Sequence, residues 1–311
     1  VEEIIFTRNA TESMKALILQ YNRLKPGDAV LYADLDYDSM QASMDSLAAR
    51  RGVRVIKIAL PEPATYQSLV ATYKAAFDAN PAIKLILLTH VSHRTGLVLP
   101  VAEIATMARG RGIDALVDAA HSIGQLDFRL PDLKADFVGL NLHKWIGAPL
   151  GVGALYIRRE RLDAIDPDPA EGPGGPDIDS RVHTGTPDYA AQLTVPTALA
   201  FQAAIGASRR EARLRSLRDR WVRAVRDLPQ VQIMTPDDPR LYGAITSFRL
   251  RGRTSHDDNV ALAKALLDKH RIFTVHRDGL ASGSCIRVTP ALASRMSDMA
   301  ALAGAIRSLA G

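Results

Sequence analysis

The chain has 311 residues, of which 47% are hydrophobic and 23% are charged, and its formal net charge is +5. This balance is that of a globular protein, so wholesale disorder is excluded, and the length allows one large domain or two smaller ones. A single cysteine, Cys285, excludes an intramolecular disulfide framework and a cysteine-rich zinc site. The sequence contains no apolar run of about eighteen residues or more, so it predicts no membrane-spanning helix.

The first half of the chain alternates short apolar runs with helical patterns. The predicted strands are Glu3–Thr7, Ala29–Ala33, Val53–Ala59, Ile83–Thr89, Ala115–Asp118, Asp136–Leu140 and Gly153–Arg158. The predicted helices are Thr11–Tyr21, Ser39–Arg50, Tyr66–Asp78 and Val101–Arg111. Apolar strands that alternate with helices predict an α/β fold with a mostly parallel, seven-stranded sheet between helices. In such a sheet, ligands bind at the carboxyl ends of the strands.

The second half follows a different pattern. Residues 164–188 are rich in Pro, Gly and Asp, which predicts a connector, and one long helix is predicted from about Pro196 to Leu228. The remaining predicted elements are strands at Val231–Thr235, Ile245–Leu250, Ile272–His276 and Cys285–Thr289, and helices at Asp257–Lys269 and Ser297–Leu309. This order indicates a small α+β domain. We therefore expect a large domain over residues 1–190, then a connecting helix and small C-terminal domain over residues 191–311.

An acid and a lysine point to a particular chemistry. Asp118 ends one apolar strand, and Lys144 follows the next one in the stretch NLHKWIGAPLGVG. A buried carboxylate is costly unless it is paired, and the protonated ring nitrogen of pyridoxal 5'-phosphate (PLP) is a suitable partner. Burial beside another cationic group lowers the pKa of a lysine, as is needed by one that holds PLP as a Schiff base. The alternative for Asp118 is a salt bridge to an arginine.

The stretch RNATESM predicts a helix that begins near Ala10, with Asn9 as its cap and Glu12 at the reciprocal capping-box position. Free backbone N–H groups there, together with the hydroxyls of Thr11 and Ser13, would bind an anion such as a phosphate. An ordinary well-capped helix is the alternative.

Other charged residues leave more than one interpretation. Arg287, on a late apolar strand, suits bidentate capture of a carboxylate, or else a structural ion pair. His121 could bond the phenolic oxygen of PLP or cap a loop, and His143 could face the phosphate or pack under the ring. The histidines show no metal-ligand spacing, so no metal is expected. The Arg-rich stretch 208–228 has an apolar stripe and indicates a solvated helix face rather than a nucleic-acid patch.

Taken in order, the motifs RNATES, THVSHRTG, VDAAHSIGQ, NLHKW and HTGTPD resemble those of the class V aminotransferase group of fold-type I PLP enzymes. Within that group they are most similar to isopenicillin N epimerase-like members. The resemblance runs from Val1 to the last helix and is specific as a set, although each motif alone is weak. It implies PLP as cofactor, an amino-acid-type substrate, and a homodimer whose active sites are shared at the subunit interface.

The resemblance also implies roles around the cofactor. Lys144 matches the Schiff-base lysine, Asp118 matches the partner of the ring nitrogen, and His121 falls near the ring hydroxyl. The residues that would lie near the phosphate are Ala10, Thr11 and His143.

Four further positions match the family's pattern. Tyr37 matches the aromatic residue that stacks on the cofactor ring, and His93 matches a polar position beside it. Thr186 matches the residue that reaches the phosphate of the neighbouring subunit. Arg287 matches the arginine that binds the substrate α-carboxylate.

We therefore expect a PLP-dependent enzyme that acts at the amino group and Cα of an amino acid or an amino-acid-derived substrate. Lys144, once displaced by the substrate amine, would serve as general base, and Asp118 would keep the ring nitrogen protonated. An epimerase or aminotransferase-like activity is favoured, and in an epimerase Tyr37 or His93 could donate the proton on the opposite face. The alternatives are a C–S lyase or cysteine desulfurase-like enzyme, and a non-catalytic regulatory module. Cys285 is predicted to lie in the core, which disfavours a persulfide on the enzyme.

The chain begins VEEIIFTRNATES, inside a predicted strand. Members of the family carry a segment ahead of this motif, so we expect an upstream segment to be missing. We expect a cytoplasmic protein, with an exported compartment as the alternative.

Overall fold

The computed structural model of the protein describes residues 2–172, 175 and 177–311. The strands of the first half are β1 (Ile4–Thr7), β2 (Ala29–Ala33), β3 (Arg54–Ile58), β4 (Ile83–Thr89), β5 (Asp114–Asp118), β6 (Phe137–Asn141) and β7 (Gly153–Ile157). The helices are α1 (Ala10–Leu19), α2 (Asp38–Arg51), α3 (Tyr66–Ala79) and α4 (Val101–Arg109). Every element predicted for this half is confirmed, and the ends differ by at most two residues.

The seven strands form one sheet in the order β1-β7-β6-β5-β4-β2-β3. Strands β2, β3, β4, β5 and β6 run parallel to one another. Strand β7 runs antiparallel to β6, and β1 runs antiparallel to β7. One apolar core packs the sheet against α3 and α4, and a second packs the other face against α1 and α2. The predicted mostly parallel sheet between helices is confirmed.

The register of the sheet gathers strand ends at one edge. Thr89 of β4 pairs with Asp118 of β5, and Asp118 pairs in turn with Gly139 of β6. The residues that follow these strands therefore share one edge of the sheet, where parallel α/β sheets bind ligands.

The second half adds helices and a smaller sheet. Its elements are α5 (Tyr189–Leu193), α6 (Val195–Ile205), α7 (Ala207–Val225), β8 (Val231–Ile233), β9 (Thr246–Leu250), α8 (His256–His270), β10 (Val275–Arg277), β11 (Cys285–Val288) and α9 (Met296–Ala310). The strands form an antiparallel sheet in the order β10-β11-β9-β8. Trp221, Phe248 and Ile286 lie in its apolar core with α7, α8 and α9. The domain boundary at residue 190 stays a prediction.

The single long helix predicted from Pro196 to Leu228 is wrong. Gly206 separates α6 from α7 with a φ of +87°, a conformation that glycine adopts without steric cost and that ends a helix. The strand predicted from Ile272 begins only at Val275, because α8 ends in a left-handed residue, Arg271, and an irregular segment follows.

The connector and the Arg-rich stretch were both predicted from composition. In the connector 164–188, Pro173, Gly174 and Pro176 lie outside the described residues, as does Val1 at the start of the chain. In the stretch 208–228 the apolar stripe is buried as predicted, but Arg218 is buried as well and pairs with carboxylates.

Within the described ranges, no helix has the length and apolarity needed to cross a membrane.

Candidate active site

A cavity of about 420 Å³ lies at the carboxyl edge of the large sheet, between that edge and strands β10 and β11. It is lined by Asn9, Ala10, Thr11, Tyr37, Thr89, Val91, His93, Asp118, Ala120, His121, Asn141, His143, Lys144, Arg277 and Arg287. Nine of the ten predicted site residues are thus brought together. The tenth, Thr186, is exposed and lies outside this cavity.

Asp118 and Lys144 face the same cavity from neighbouring strand ends. Asp118 is only 5% exposed, and its Oδ1 accepts a hydrogen bond of 2.9 Å from the Ala120 N–H. Burial raises the pKa of Asp118, while the Ala120 N–H and the Lys144 charge oppose that shift. The Lys144 side chain reaches into the open cavity, but the surrounding protein lowers the pKa of its amine against the attraction of Asp118. Among the described residues no arginine pairs with Asp118, so the alternative of a salt bridge is wrong.

His121 lies against Lys144 at the turn after β5. Its Nε2 is 3.2 Å from Lys144 Nζ, and its Nδ1 accepts a hydrogen bond of 3.4 Å from Trp145 Nε1. Burial and then the charge of Lys144 lower the pKa of His121 well below its usual value, so the ring is neutral. The indole N–H of Trp145 can only donate, so this bond assigns the proton of the neutral ring to Nε2, where the unprotonated Lys144 amine would accept it.

Gly124 permits the close contact between the His121 turn and the Lys144 loop. Its φ is +78°, and a Cβ at this position would lie 2.9 Å from atoms of Trp145 and Ile146. Any side chain would therefore push the turn and the loop apart and change the distance between His121 and Lys144.

The N-terminus of α1 faces the other end of the cavity. Helix α1 begins at Ala10 as predicted, and Asn9 Oδ1 caps it by accepting a bond of 2.9 Å from the Glu12 N–H. The Ala10 N–H donates to Asn141 Oδ1 at 2.8 Å. Of the first three N–H groups of the helix, only that of Thr11 has no acceptor within the described chain, so Thr11 carries the available donors.

Two details predicted for this helix start are wrong. The Ser13 hydroxyl bonds the Thr7 hydroxyl at 2.8 Å beneath the helix, so it is not available to an anion in the cavity. The Glu12 carboxylate accepts a bond of 2.7 Å from the Arg8 N–H rather than from the cap residue. The Arg8 side chain also pairs with Glu12, so the carboxylate bonds Arg8 instead of Asn9, the cap residue that follows it.

His143 lies next to Lys144 and is held by the backbone. Its Nδ1 donates a hydrogen bond of 3.0 Å to the Val152 carbonyl oxygen, which fixes the orientation of the ring. Burial lowers the pKa of His143, and the bond to Val152 opposes the shift. The ring is thus a neutral group that lines the cavity in a fixed position.

Tyr37 and His93 form a side wall of the cavity. Their rings pack edge to face, with centroids 5.1 Å apart. Burial, followed by the charge of Arg94, lowers the pKa of His93 to about 3, so this ring is neutral. His93 Nδ1 is buried and has no hydrogen-bond partner among the described residues, whereas the Tyr37 ring is partly open to the cavity.

Two arginines approach the cavity from the small sheet. Arg287 of β11 donates a hydrogen bond of 2.9 Å from Nη1 to the His93 carbonyl oxygen, and Arg277 lies on the neighbouring strand β10. Burial, and then the charge of Arg277, lowers the pKa of Arg287 to about 10. Within the part of the chain that the structure describes, neither guanidinium has a carboxylate partner, so the ion pair considered for Arg287 is absent. Both cations are available to an anionic ligand.

Residues 1–288 match the sequence profile of the family described as "Aminotransferase class-V". Isopenicillin N epimerase of Streptomyces clavuligerus is 34% identical over 274 residues, which cover 82% of this chain and 68% of the relative. The chain belongs to the class V aminotransferase family. A putative L-cysteine desulfhydrase of Oryza sativa subsp. japonica is 30% identical over 301 residues, covering 86% of this chain and 59% of the relative.

The fold agrees with this class V membership. The apo structure of a cysteine desulfurase from Thermococcus onnurineus NA1 superposes with a TM-score of 0.82 at 24% identity, over 99% of this chain and 79% of that chain. The predicted family and the PLP fold-type I architecture are confirmed.

The cofactor of this class V enzyme is PLP, as predicted, and the cavity fits it. Its volume is that of a small-molecule site. One Asp118 oxygen accepts no hydrogen bond from the described residues, and His93 Nδ1 is buried without a partner, so a polar ligand would satisfy both. Free donors at Thr11 lie at the helix start, where a phosphate is favoured.

Some lining residues of the class V site were not predicted. Asn141 ends β6, and the rule that ligands gather at the ends of parallel strands could have found it. Arg277 carries no local signal, because its approach to the cavity depends on how the small sheet packs against the large one. Cys285 is fully buried in β11, as predicted, and burial raises the pKa of its thiol to about 12.

Proposed function

We propose that this PLP-dependent enzyme acts at the amino group and Cα of an amino acid or amino-acid-derived substrate, as an epimerase or an aminotransferase-like enzyme. The observation that carries the proposal is a single cavity lined by the Lys144 amine, the Asp118 carboxylate and the Arg287 guanidinium. Bound PLP would supply an electron sink for a bond that breaks at Cα.

Lys144 would hold the cofactor covalently and, once freed by the substrate amine, take the proton from Cα. The lowered pKa of its amine supports this role, because a general base must be unprotonated near neutral pH. The Asp118 carboxylate would keep the ring nitrogen protonated. His121 would donate its Nε2 proton to the ring hydroxyl, a role supported by the bond from Trp145 to Nδ1.

The start of α1 would hold the phosphate. Thr11 would donate its N–H and hydroxyl to the phosphate, with His143 close by. Ala10 would lie beside the phosphate without donating to it, because its N–H already bonds Asn141. In a homodimer, Thr186 would reach the phosphate of the partner subunit.

Tyr37 would stack on the ring, with His93 beside it. For epimerisation a proton must return to Cα on the face opposite Lys144. Tyr37 is the better donor, since His93 is neutral at neutral pH and a neutral imidazole is a poor acid. A transaminating enzyme would need only Lys144 to move the proton.

Arg287 would bind the substrate α-carboxylate through a bidentate contact. Arg277 lines the same cavity and has no carboxylate partner among the described residues. A substrate with a second acidic group would pair with it, so we favour such substrates over simple neutral amino acids.

A C–S lyase is the second candidate, and the similarity to a putative L-cysteine desulfhydrase favours it. Such an enzyme would use the same Lys144 to take the Cα proton before a sulfur group leaves. A persulfide on Cys285 is not supported, because the thiol is buried and its pKa is raised. A regulatory module without activity is less favoured, since the lysine, the aspartate and the arginine share one cavity.

A homodimer is proposed on the exposed surface around Thr186. Tyr189, Leu193 and Phe201 of α5 and α6 are 63%, 78% and 62% exposed, which is unusual for large apolar side chains. A second copy of this chain would cover them and bring its Thr186 segment to the site. Light scattering should show a dimer, and a Leu193→Asp, Phe201→Asp variant should be monomeric. A monomeric parent protein would contradict the proposal.

The reaction can be tested with PLP-loaded protein in D₂O and a panel of L-amino acids that includes cysteine and acidic members. An epimerase would form the D-isomer labelled at Cα, an aminotransferase would form the oxo acid as the amino group passes to the cofactor, and a lyase acting on cysteine would release sulfide, ammonia and pyruvate. Borohydride should trap the cofactor on Lys144, which peptide mass spectrometry would locate. Cofactor trapped on another lysine would contradict the assignment.

A further inference from the structure

A second cluster of polar side chains lies outside the cavity, at the outer strand of the small sheet. His256 is the first residue of α8, His276 lies on β10, and Asp278 follows that strand. One nitrogen or oxygen from each lies within 4.8 Å of the other two. We propose that His256, His276 and Asp278 bind a divalent first-row transition ion, for which Zn²⁺ is the best-fitting example.

The distances suit such an ion. His256 Nδ1 lies 3.0 Å from Asp278 Oδ2, and His276 Nε2 lies 3.8 Å from the same oxygen. Tetrahedral zinc with bonds of about 2.0–2.2 Å places neighbouring ligand atoms roughly 3.4 Å apart. These two separations lie on either side of that value, and all three ligand atoms lie within 4.8 Å of one another, so side-chain rotations would complete the site. Two imidazoles and one carboxylate favour zinc, nickel or copper over calcium and magnesium.

Neighbouring contacts support Asp278 and the backbone around the cluster. Asp278 Oδ1 accepts a hydrogen bond of 2.6 Å from the Ser284 hydroxyl, which leaves Oδ2 turned toward the histidines. Buried Arg94 donates to the Asp278 carbonyl oxygen, and Ser255 caps α8, whose first residue is His256. Such supporting contacts orient metal ligands and raise affinity.

The cluster is open to solvent. The side chains of His256, His276 and Asp278 are 58%, 35% and 48% exposed. An ion can therefore enter directly, and three protein ligands leave a fourth position for water or an external ligand.

The position of the cluster connects it to the active site. Arg277 lies between His276 and Asp278 in the sequence, and its side chain lines the cavity on the opposite side of the strand. A bound ion would link β10 to the start of α8 on the solvent side of the strand. This link would restrict the motion of β10 and so of Arg277, which lines the cavity on the other side. Its binding does not depend on which reaction the enzyme performs.

Equilibrium dialysis of the untagged, PLP-loaded full chain against Zn²⁺, followed by metal analysis, tests the site. We expect one saturable ion per chain. His256→Ala, His276→Ala and Asp278→Asn should each weaken binding by at least about tenfold, and Ser284→Ala should weaken it by roughly tenfold through loss of the supporting bond. His183→Ala is the matched control, since His183 pairs with Glu171 at 2.5 Å but belongs to no three-ligand group within the described chain.

A second measurement is independent of dialysis. Excess Zn²⁺ should raise the thermal midpoint of the parent protein and of His183→Ala, but not that of His276→Ala or Asp278→Asn. Circular dichroism would verify that each variant is folded before titration. The proposal is overturned if no saturable binding occurs, if a His256→Ala, His276→Ala double variant binds as the parent does, or if His183→Ala loses the ion equally.

Discussion

The two sheets contribute to one cavity in different ways. The large sheet supplies Asp118 and Lys144 from strand ends and loops, and burial moves the pKa of the acid up and that of the amine down. The small sheet supplies Arg277 and Arg287 from two paired strands, both without carboxylate partners in the described chain. In the proposed enzyme, proton chemistry and recognition of the substrate carboxylate would therefore arise from separate parts of the fold. Substitutions in the two sheets should therefore change different kinetic constants.

Removing the Lys144 amine should have the largest effect. Lys144→Ala should reduce kcat by about 10³-fold or more, because both the covalent hold on the cofactor and the general base are lost. Steady-state kinetics, together with the visible absorbance of the bound cofactor, would measure it. Lys74→Ala, an exposed lysine on α3, is the control. Full activity in Lys144→Ala would contradict the proposal that this lysine of the large-sheet half carries out the proton chemistry.

Asp118→Asn should come next. The change leaves the ring charge without its partner, a loss of about 3–5 kcal/mol for a broken buried pair, or roughly 10²-fold to 5 × 10³-fold in kcat. The absorbance spectrum should shift with it, since the ring nitrogen loses its proton. Asp127→Asn, an exposed acid, should keep the parent spectrum. An unchanged spectrum in Asp118→Asn would mean that this carboxylate does not contact the ring.

Arg287→Lys should act on binding rather than on chemistry. Replacing a bidentate contact by a point charge should raise KM by about tenfold to a hundredfold while kcat falls less. Arg277→Lys should raise KM only for substrates that carry a second acidic group. Arg253→Lys, an exposed arginine of the second half, is the control. Equal losses of kcat in both active-site variants would contradict the division of roles between the sheets.

We expect Asp36 to make the stability of the large sheet depend on pH. Burial raises its pKa from 3.8 to about 7. Between these values the native state holds a proton that the unfolded state has lost, so the free energy of unfolding falls as pH rises. From pH 6 to 8 the fall due to Asp36 is about 1.4 kcal/mol. Urea unfolding of the parent and of Asp36→Asn would measure it, and identical pH slopes would refute the assignment.

Trp145→Phe should have the smallest effect. It removes one hydrogen bond to His121 Nδ1, worth about 0.5–1.5 kcal/mol, and frees the ring to change tautomer. We expect kcat to fall by about twofold to tenfold with KM nearly constant. A change confined to KM would place His121 in substrate binding instead.

Local signals predicted the large sheet and most of the site, but not the small sheet's contribution. Asp118 and Lys144 could be found because each follows an apolar parallel strand, and neighbouring parallel strands end at one edge. Arg277 could not, because the pairing of β10 with β11 brings it near Arg287, and only the packing between the two sheets brings it to the cavity. The break at Gly206 was missed because its neighbours have continuous helical periodicity, and the sequence does not show whether a glycine keeps helical dihedral angles or adopts a positive φ, as Gly206 does.

Buried Arg94 links parts of the molecule that the cavity separates. It pairs with Asp38 at the start of α2 and bonds the backbone of Asp278 beyond β10. Pulling the small sheet away from the large one would break the bond to Asp278 and leave this guanidinium, whose side chain is 4% exposed, paired with Asp38 alone. This contact opposes a wide hinged opening, so we expect substrates to arrive through the existing mouth while nearby loops and side chains move to admit them.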